Sequence, residues 1–320
     1  MIWNTDRMDY YAADFISGMT KVFPERWKCL KSGKNSGIII KAKPTPERFA
    51  VIISGGSGNG PLFPGYVAEG LADAAVVGAP FAAPNAYAIY EAGRYLGRNS
   101  GVLLLYNNFS GDYLNNDMAQ ELLEMENIEV ESVASNDDIA TALNEPRENR
   151  GGRTGIALLI KLAGACSKAA IPLKDAASLV RYANERLGTI SVHVNFEKQL
   201  IEYGAGFSGE PGIRTDENHM NLHRSVKEAA EMLISSLKPR NDERLFLLVN
   251  RLRLTSYPDS YIVADAAYDV LSQNFKVEQV RVGAFSNIAD IYGYELSILC
   301  MNEEISRLMG GYIVTDSFVI

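Results

Sequence analysis

The stretch Phe49–Tyr66, FAVIISGGSGNGPLFPGY, decides how the rest of the chain reads. Phe49 to Ile53 is an apolar, β-rich run that breaks into Ser54-Gly55-Gly56-Ser57-Gly58-Asn59-Gly60-Pro61. Five apolar residues bounded by Gly and Pro predict a buried strand. The glycines after it supply backbone that turns at positive φ and lets a ligand approach closely. The carboxyl end of such a strand is where α/β proteins bind small polar ligands. A plain tight turn from strand to helix has the same composition, and on composition the two readings weigh about the same.

Outward from this stretch the pattern repeats. Gly101–Tyr106 (GVLLLY) predicts a second buried strand and ends in Asn107-Asn108-Phe109-Ser110-Gly111-Asp112. A helix over 116–126 and a strand over 128–133 follow, giving a β–loop–α–β alternation that argues for a mainly parallel sheet. Upstream, 9–19 has helical periodicity and 38–40 reads as a short strand. Between the two loops, 67–75 reads as a helix, PFAAP (80–84) as a loop, and 86–95 as a helix capped by Asn85. The segment 144–153 is a charged surface loop, 154–170 a buried helix, and 173–186 a further helix with Gly188 as its stop. The character changes near Thr189. Strands over 190–196, 245–250, 277–284 and 294–300, with helices over 222–237 and 260–271, make the second half α/β as well. The expectation is two α/β domains, 1–187 and 188–320, with mainly parallel or mixed sheets flanked by helices.

At 320 residues, two domains are also the prior from length. A net charge of −8 argues against direct binding of nucleic acid. No apolar run is long enough to cross a bilayer, and the N-terminus lacks a basic-then-apolar signal pattern. Three widely spaced cysteines (Cys29, Cys166, Cys300) fit a reducing compartment, so the expected location is cytoplasmic. They lack the close spacing of a zinc site. His219 and His223 lie four apart but come with no carboxylate-rich helix motif, so no metal is expected. A phosphate-cradling GxxxxGK[ST] loop is absent, which argues against ATP binding by this chain alone.

Four segments taken together carry a family resemblance: GGSGNGP (55–61), NNFSGD (107–112), GGRTGIALLIKLAGA (151–165) and GAGFSGEPGI (204–213). In this order and spacing they resemble the ketose-binding, DhaK-type subunit of dihydroxyacetone (glycerone) kinases. The resemblance implies a two-domain α/β subunit, usually a homodimer, that binds a small ketose or polyol in its first domain. It implies a histidine in the GEPG loop that forms a hemiaminal with the ketone. A second histidine in the GGSG loop and an aspartate in the TGD-type loop act on the substrate hydroxyl. Phosphate then comes from a nucleotide-carrying subunit or a phosphotransfer protein. No cofactor is implied in this chain, since ATP or ADP with magnesium is carried by the partner. Some paralogues do no chemistry, and act as ligand-sensing coactivators with a TetR-like regulator.

Mapped onto this sequence, the resemblance makes Asp112 the catalytic residue. Gly55, Gly56, Ser57, Gly58, Asn59, Asn107 and Ser208 become substrate-binding residues. The family reads GGSGHEP, KNYTGD and GIHGEPG where this chain reads GGSGNGP, NNFSGD and GFSGEPG. Asn59 stands at the acid/base histidine, and an amide does not titrate near neutral pH. Asn107 replaces a lysine, removing a cation that balances charge. Ser208 replaces the covalent histidine, and a serine without an activating base adds to a carbonyl only transiently. Loop glycines are kept while titratable groups are lost. Two readings stay open: a phosphotransferase subunit impaired in the covalent mechanism, and a non-catalytic ligand sensor. Plainer roles are open too, with Asp112 as a cap, Asn59 and Ser208 as loop residues, and Glu210-Pro211-Gly212 as a structural turn.

Overall fold

The computed structural model describes residues 7–45, 47–206, 210–217, 220–287 and 291–320. Ser208 and His219 therefore lie outside the described residues. The chain divides into two compact units, residues 1–135 with 158–181, and residues 136–157 with 182–320. A single break near residue 187 does not describe this division. The segment 136–157 goes with the second unit, to which Arg153 ties it through Glu295.

In the first unit, the strands are β1 (Trp27–Gly33), β2 (Ser36–Lys41), β3 (Ala50–Gly56), β4 (Ala74–Gly78), β5 (Val102–Asn107) and β6 (Val130–Ser135). They form one sheet in the order β1-β2-β4-β3-β5-β6. The run β4-β3-β5-β6 is parallel, and β2 pairs antiparallel with both β1 and β4. The central strands are buried along nearly their whole length because both faces are covered, as parallel sheets require. Alternate residues Ile38, Ile52, Val76 and Leu104 pack on one face against Ile89 and Ala92 of helix α2 (Ala86–Leu96) and Leu123 of α3 (Ser110–Met125). Helix α1 (Tyr11–Val22) packs against β1 and β2. Asn85 caps α2 as expected, its Oδ1 accepting from the Ala88 amide at 2.9 Å.

Three expectations for this unit need correction. The segment 67–75 is not a helix. Gly70 takes φ +80° inside a tight loop in which the Ala68 amide donates to the Ala72 carbonyl, and 74–78 is strand β4. Alanine favours helix intrinsically, but here Ala74 and Ala75 fill narrow space between β2 and β3, and the sheet overrides propensity. Strand β1 was not anticipated, because as a mostly exposed edge strand it carries lysines rather than an apolar run. Helix α3 begins at Ser110, six residues before the expected start at Asn116, so the NNFSGD motif ends inside its first turn.

Helices α4 (Ile156–Lys168) and α5 (Leu173–Glu185) follow β6, and both run through the residues at which the units divide. The second unit holds β7 (Leu187–Asn195), β8 (Leu200–Tyr203), β9 (Arg214–Glu217), α6 (Leu222–Leu237), β10 (Arg244–Arg251), α7 (Tyr257–Ser272), β11 (Lys276–Gly283), β12 (Tyr292–Met301) and α8 (Glu303–Leu308). Its sheet order is β11-β10-β12-β7-β8-β9, with only β10 and β11 parallel. Both sheets are thus mixed. Gly188 does not stop a helix. It lies within β7 opposite Ile298.

Candidate functional site

The parallel pairing of β3 with β5 sets Ser54 against Tyr106, so the loops leaving both strands start side by side. Neighbouring strands lie about 4.8 Å apart, which brings GGSGNGP and NNFSGD together at the carboxyl end of the sheet. Three glycines are required by close packing there, and a Cβ on Gly56 would sit 2.8 Å from the Ala82 backbone nitrogen. A Cβ on Gly55 would sit 1.9 Å from the ring of buried Phe63, and one on Gly58 would sit 2.4 Å from the ring of Phe81. The loop after β4, containing Phe81 to Ala83, closes a third side. The Ser57 amide donates to the Ala79 carbonyl at 3.3 Å, and Ala83 lies against Gly111.

Four side-chain atoms of these two loops have no hydrogen-bond partner: Ser57 Oγ, Asn59 Oδ1, Asn107 Oδ1 and Asp112 Oδ1, each shielded from solvent. Ser57, Asn107 and Asp112 are buried at 6%, 5% and 8% exposure. Buried polar atoms are ordinarily paired, because leaving one unmade costs about 1–3 kcal/mol. Four such atoms lie on two adjacent loops.

Asp112 is no helix cap. It is the third residue of α3, whose N-cap position is Phe109. The first turn of a helix favours a carboxylate, yet burial pushes the Asp112 carboxyl up to about 7. Asn116, one turn later and fully buried, holds the backbone at Asp112 rather than its carboxyl. The Asn116 Nδ2 donates to the Asp112 carbonyl at 2.8 Å, and the same amide group meets the Ser54 hydroxyl at 3.0 Å. Burial also raises the Tyr106 hydroxyl, helped by Tyr113, Asp117 and Asp112.

Asn116, Phe81 and Tyr106 belong to the site although the sequence did not single them out. For Asn116 a signal existed, since a polar residue four after Asp112 shares its helix face. Phe81 gave none: it holds φ +58°, a backbone state that no residue pattern foretells for phenylalanine. Among the described residues no cluster of His, Cys, Asp and Glu suits a metal ion, and no helix is long and apolar enough to cross a membrane. Neither loop contains a lysine, arginine or histidine. The only titratable side chain of the two loops is thus the Asp112 carboxyl, which burial raises to about 7.

This fold and these loops define the class of protein: the chain belongs to the Dak1 domain family, whose model matches residues 17–315. Among curated proteins it is similar to the dihydroxyacetone-binding subunit DhaK of PTS-dependent dihydroxyacetone kinase 1 of Listeria innocua, 30% identical across 83% of this chain and 85% of that protein. It is likewise similar to the corresponding DhaK subunit of Lactococcus lactis, at 29% across 91% of each chain. The L-erythrulose 1-kinase of Mycolicibacterium smegmatis is 28% identical across 97% of this chain, which spans 57% of that protein. Among solved structures, the dihydroxyacetone kinase of C. freundii superposes with a TM-score of 0.89 at 22% identity, covering 99% of this chain and 60% of that one. The dihydroxyacetone kinase operon co-activator Dha-DhaQ gives 0.85 at 23%, covering 97% and 98%. At these identities the structural matches establish the fold.

Proposed function

We propose that this chain binds a small neutral ketose or polyol, dihydroxyacetone foremost, at the carboxyl end of the first sheet. It then presents a ligand hydroxyl for phosphoryl transfer from a separate nucleotide-carrying subunit or phosphotransfer protein. The observation that carries this is the set of four unpartnered atoms on Ser57, Asn59, Asn107 and Asp112. A polyhydroxy molecule supplies donors and acceptors for all of them, and the lack of a cation in either loop disfavours a phosphorylated ligand.

Binding is noncovalent in this reading, since Asn59 and Asn107 do not add to a carbonyl and Ser208 has no imidazole. Asp112, with its carboxyl near 7, accepts the proton of a ligand hydroxyl as that oxygen attacks phosphorus. The leaving group departs on the donor's side with its electron pair. ATP or ADP with magnesium belongs to the partner. A second reading, a ligand sensor acting through a protein partner such as a TetR-like regulator, is favoured by one observation. The site keeps its shape while Asp112 is the only side chain of the two loops that titrates near neutral pH.

Calorimetry with dihydroxyacetone tests binding, and turnover with a nucleotide-carrying subunit and donor separates the readings. Saturable binding with turnover that disappears in Asp112→Asn supports the kinase subunit. Binding with no turnover in either form supports the sensor. No binding of any small ketose or polyol overturns both. Reductive trapping followed by intact mass measurement is expected to show no adduct, and a trapped adduct would refute the noncovalent reading.

A further inference from the structure

In the second unit a cavity of about 210 Å³ lies between the sheet and helices α6 and α7. It follows from the residue pattern. Deeper in this layer, Val226, Ala229 and Leu233 of α6 and Val263 and Ala267 of α7 pack on Ile190, Val192, Leu296 and Ile298. Towards the N-terminal ends of both helices the side chains become short or polar, with Ser225 on α6 and Asp259 on α7, and the sheet side is Val194, Ile201, Tyr292 and Tyr294. An engineered apolar cavity of about 150 Å³ stays dry and binds benzene, so this one has room for a molecule of that size.

Its polar groups restrict what that molecule is. The Ser225 hydroxyl donates to the Leu222 carbonyl at 2.8 Å, so its contact with the Tyr294 hydroxyl at 2.9 Å has Tyr294 as the donor. The Tyr292 hydroxyl donates to Asp259 Oδ2, and the Thr255 hydroxyl donates to the Gly293 carbonyl. Among the described residues, every lining hydroxyl thus directs its proton into the protein, and the lining contains no Lys, Arg, His or Trp. What the side chains have left to offer is acceptors: hydroxyl lone pairs and the Asp259 carboxylate. Hydrogen bonds from Tyr292 and Ser256 hold that carboxyl below its ordinary value, so it is charged at neutral pH.

We propose that this cavity is a second ligand site, for a small apolar or aromatic molecule bearing one hydrogen-bond donor, a hydroxyl or an ammonium, with carboxylates excluded. It shares no residue with the site on β3 and β5 and does not rest on the ketose reading.

The test uses the intact chain with benzylamine, benzyl alcohol and benzoate as probes of nearly equal size, read by thermal shift and ligand-observed NMR. Benzylamine and benzyl alcohol are expected to bind saturably and raise the melting temperature, and benzoate is not. Val263→Phe, which fills the cavity, is expected to abolish binding of both. Asp259→Asn removes the charge with little change of shape, and is expected to weaken benzylamine about tenfold or more while leaving benzyl alcohol within a few-fold. Should Val263→Phe fail to fold, the Asp259→Asn comparison still decides. Absence of binding by either donor probe, benzoate binding as well as benzylamine, or equal benzylamine affinity in Asp259→Asn would each overturn the proposal.

Discussion

The Asp112 carboxyl is held up by burial, and that has a consequence for stability against pH. Its folded pKa of about 7 lies above the ordinary value of 3.8. The neutral form is the one the fold favours, so its contribution is complete below about pH 4 and is lost as pH rises through about 7. At about 1.4 kcal/mol per pKa unit, the loss amounts to about 4 kcal/mol at most. The stability of the natural chain relative to Asp112→Asn is therefore expected to fall between pH 4 and pH 8, measured by denaturant titration at each pH. A flat difference would mean that Asp112 is hydrated or paired. His193 behaves oppositely. Burial, with the Arg153 charge, lowers its imidazole to about 4, so its contribution is present above pH 6.5 and lost as pH falls through about 4. Asn116→Ala is expected to cost about 1–3 kcal/mol, since it strands Ser54 and frees the first turn of α3. The same change should weaken ketose binding, which calorimetry would show.

Elements position these residues through close contact rather than through long side chains. The GGSG loop lies so near Phe63 that Gly55→Ala forces the buried ring or the strand end to move. Overpacking of this kind typically costs about 1–3 kcal/mol. Thermal melting of Gly55→Ala is expected to show that loss together with weaker ligand binding, whereas Gly60→Ala, with open space around its Cβ, should leave the melting temperature nearly unchanged. Much at this scale was legible beforehand. Strands β3 and β5 are continuous apolar runs punctuated by Gly, Pro and Asn, and a buried parallel strand has no other sequence form. Strand β4 was not legible, because Ala-Ala-Val-Val with a preceding Ala-Asp favours helix locally and becomes strand only by pairing on both sides. Strand β1 was hidden by its exposure.

At the scale of the whole molecule, Arg153 explains why 136–157 belongs to the second unit. Its fully buried guanidinium donates to Asp138 at 2.6 Å, to Glu295 of β12 at 2.6 Å, and to the Ala205 carbonyl. Burial alone would disfavour the charge, but Asp138 and Glu295 outweigh it and raise the guanidinium pKa. Thr154 and Asn250 complete the shell around Glu295, and the Thr189 amide donates to the Asp137 carbonyl at 2.6 Å. Removing one partner of a buried ion pair typically costs about 3–5 kcal/mol. Arg153→Met is accordingly expected to lower unfolding stability by that order, measured by denaturant titration, and Lys is a poor substitute because it lacks the planar fork.

By itself the sequence determined the α/β class, the two sheet-end loops and the residues they carry. Apolar runs and Gly-Pro punctuation are local signals, and local signals fix where strands end. Tertiary structure alone decided that Ser57, Asn59, Asn107 and Asp112 come together with unpartnered atoms, and that Asn116 and Phe81 join them. It also decided the division of the chain, since Arg153 and Glu295 are separated by 142 positions and meet only when β12 is laid beside β7. Burial raised Asp112 to about 7, and burial is a property of the folded surroundings that no stretch of residues encodes alone.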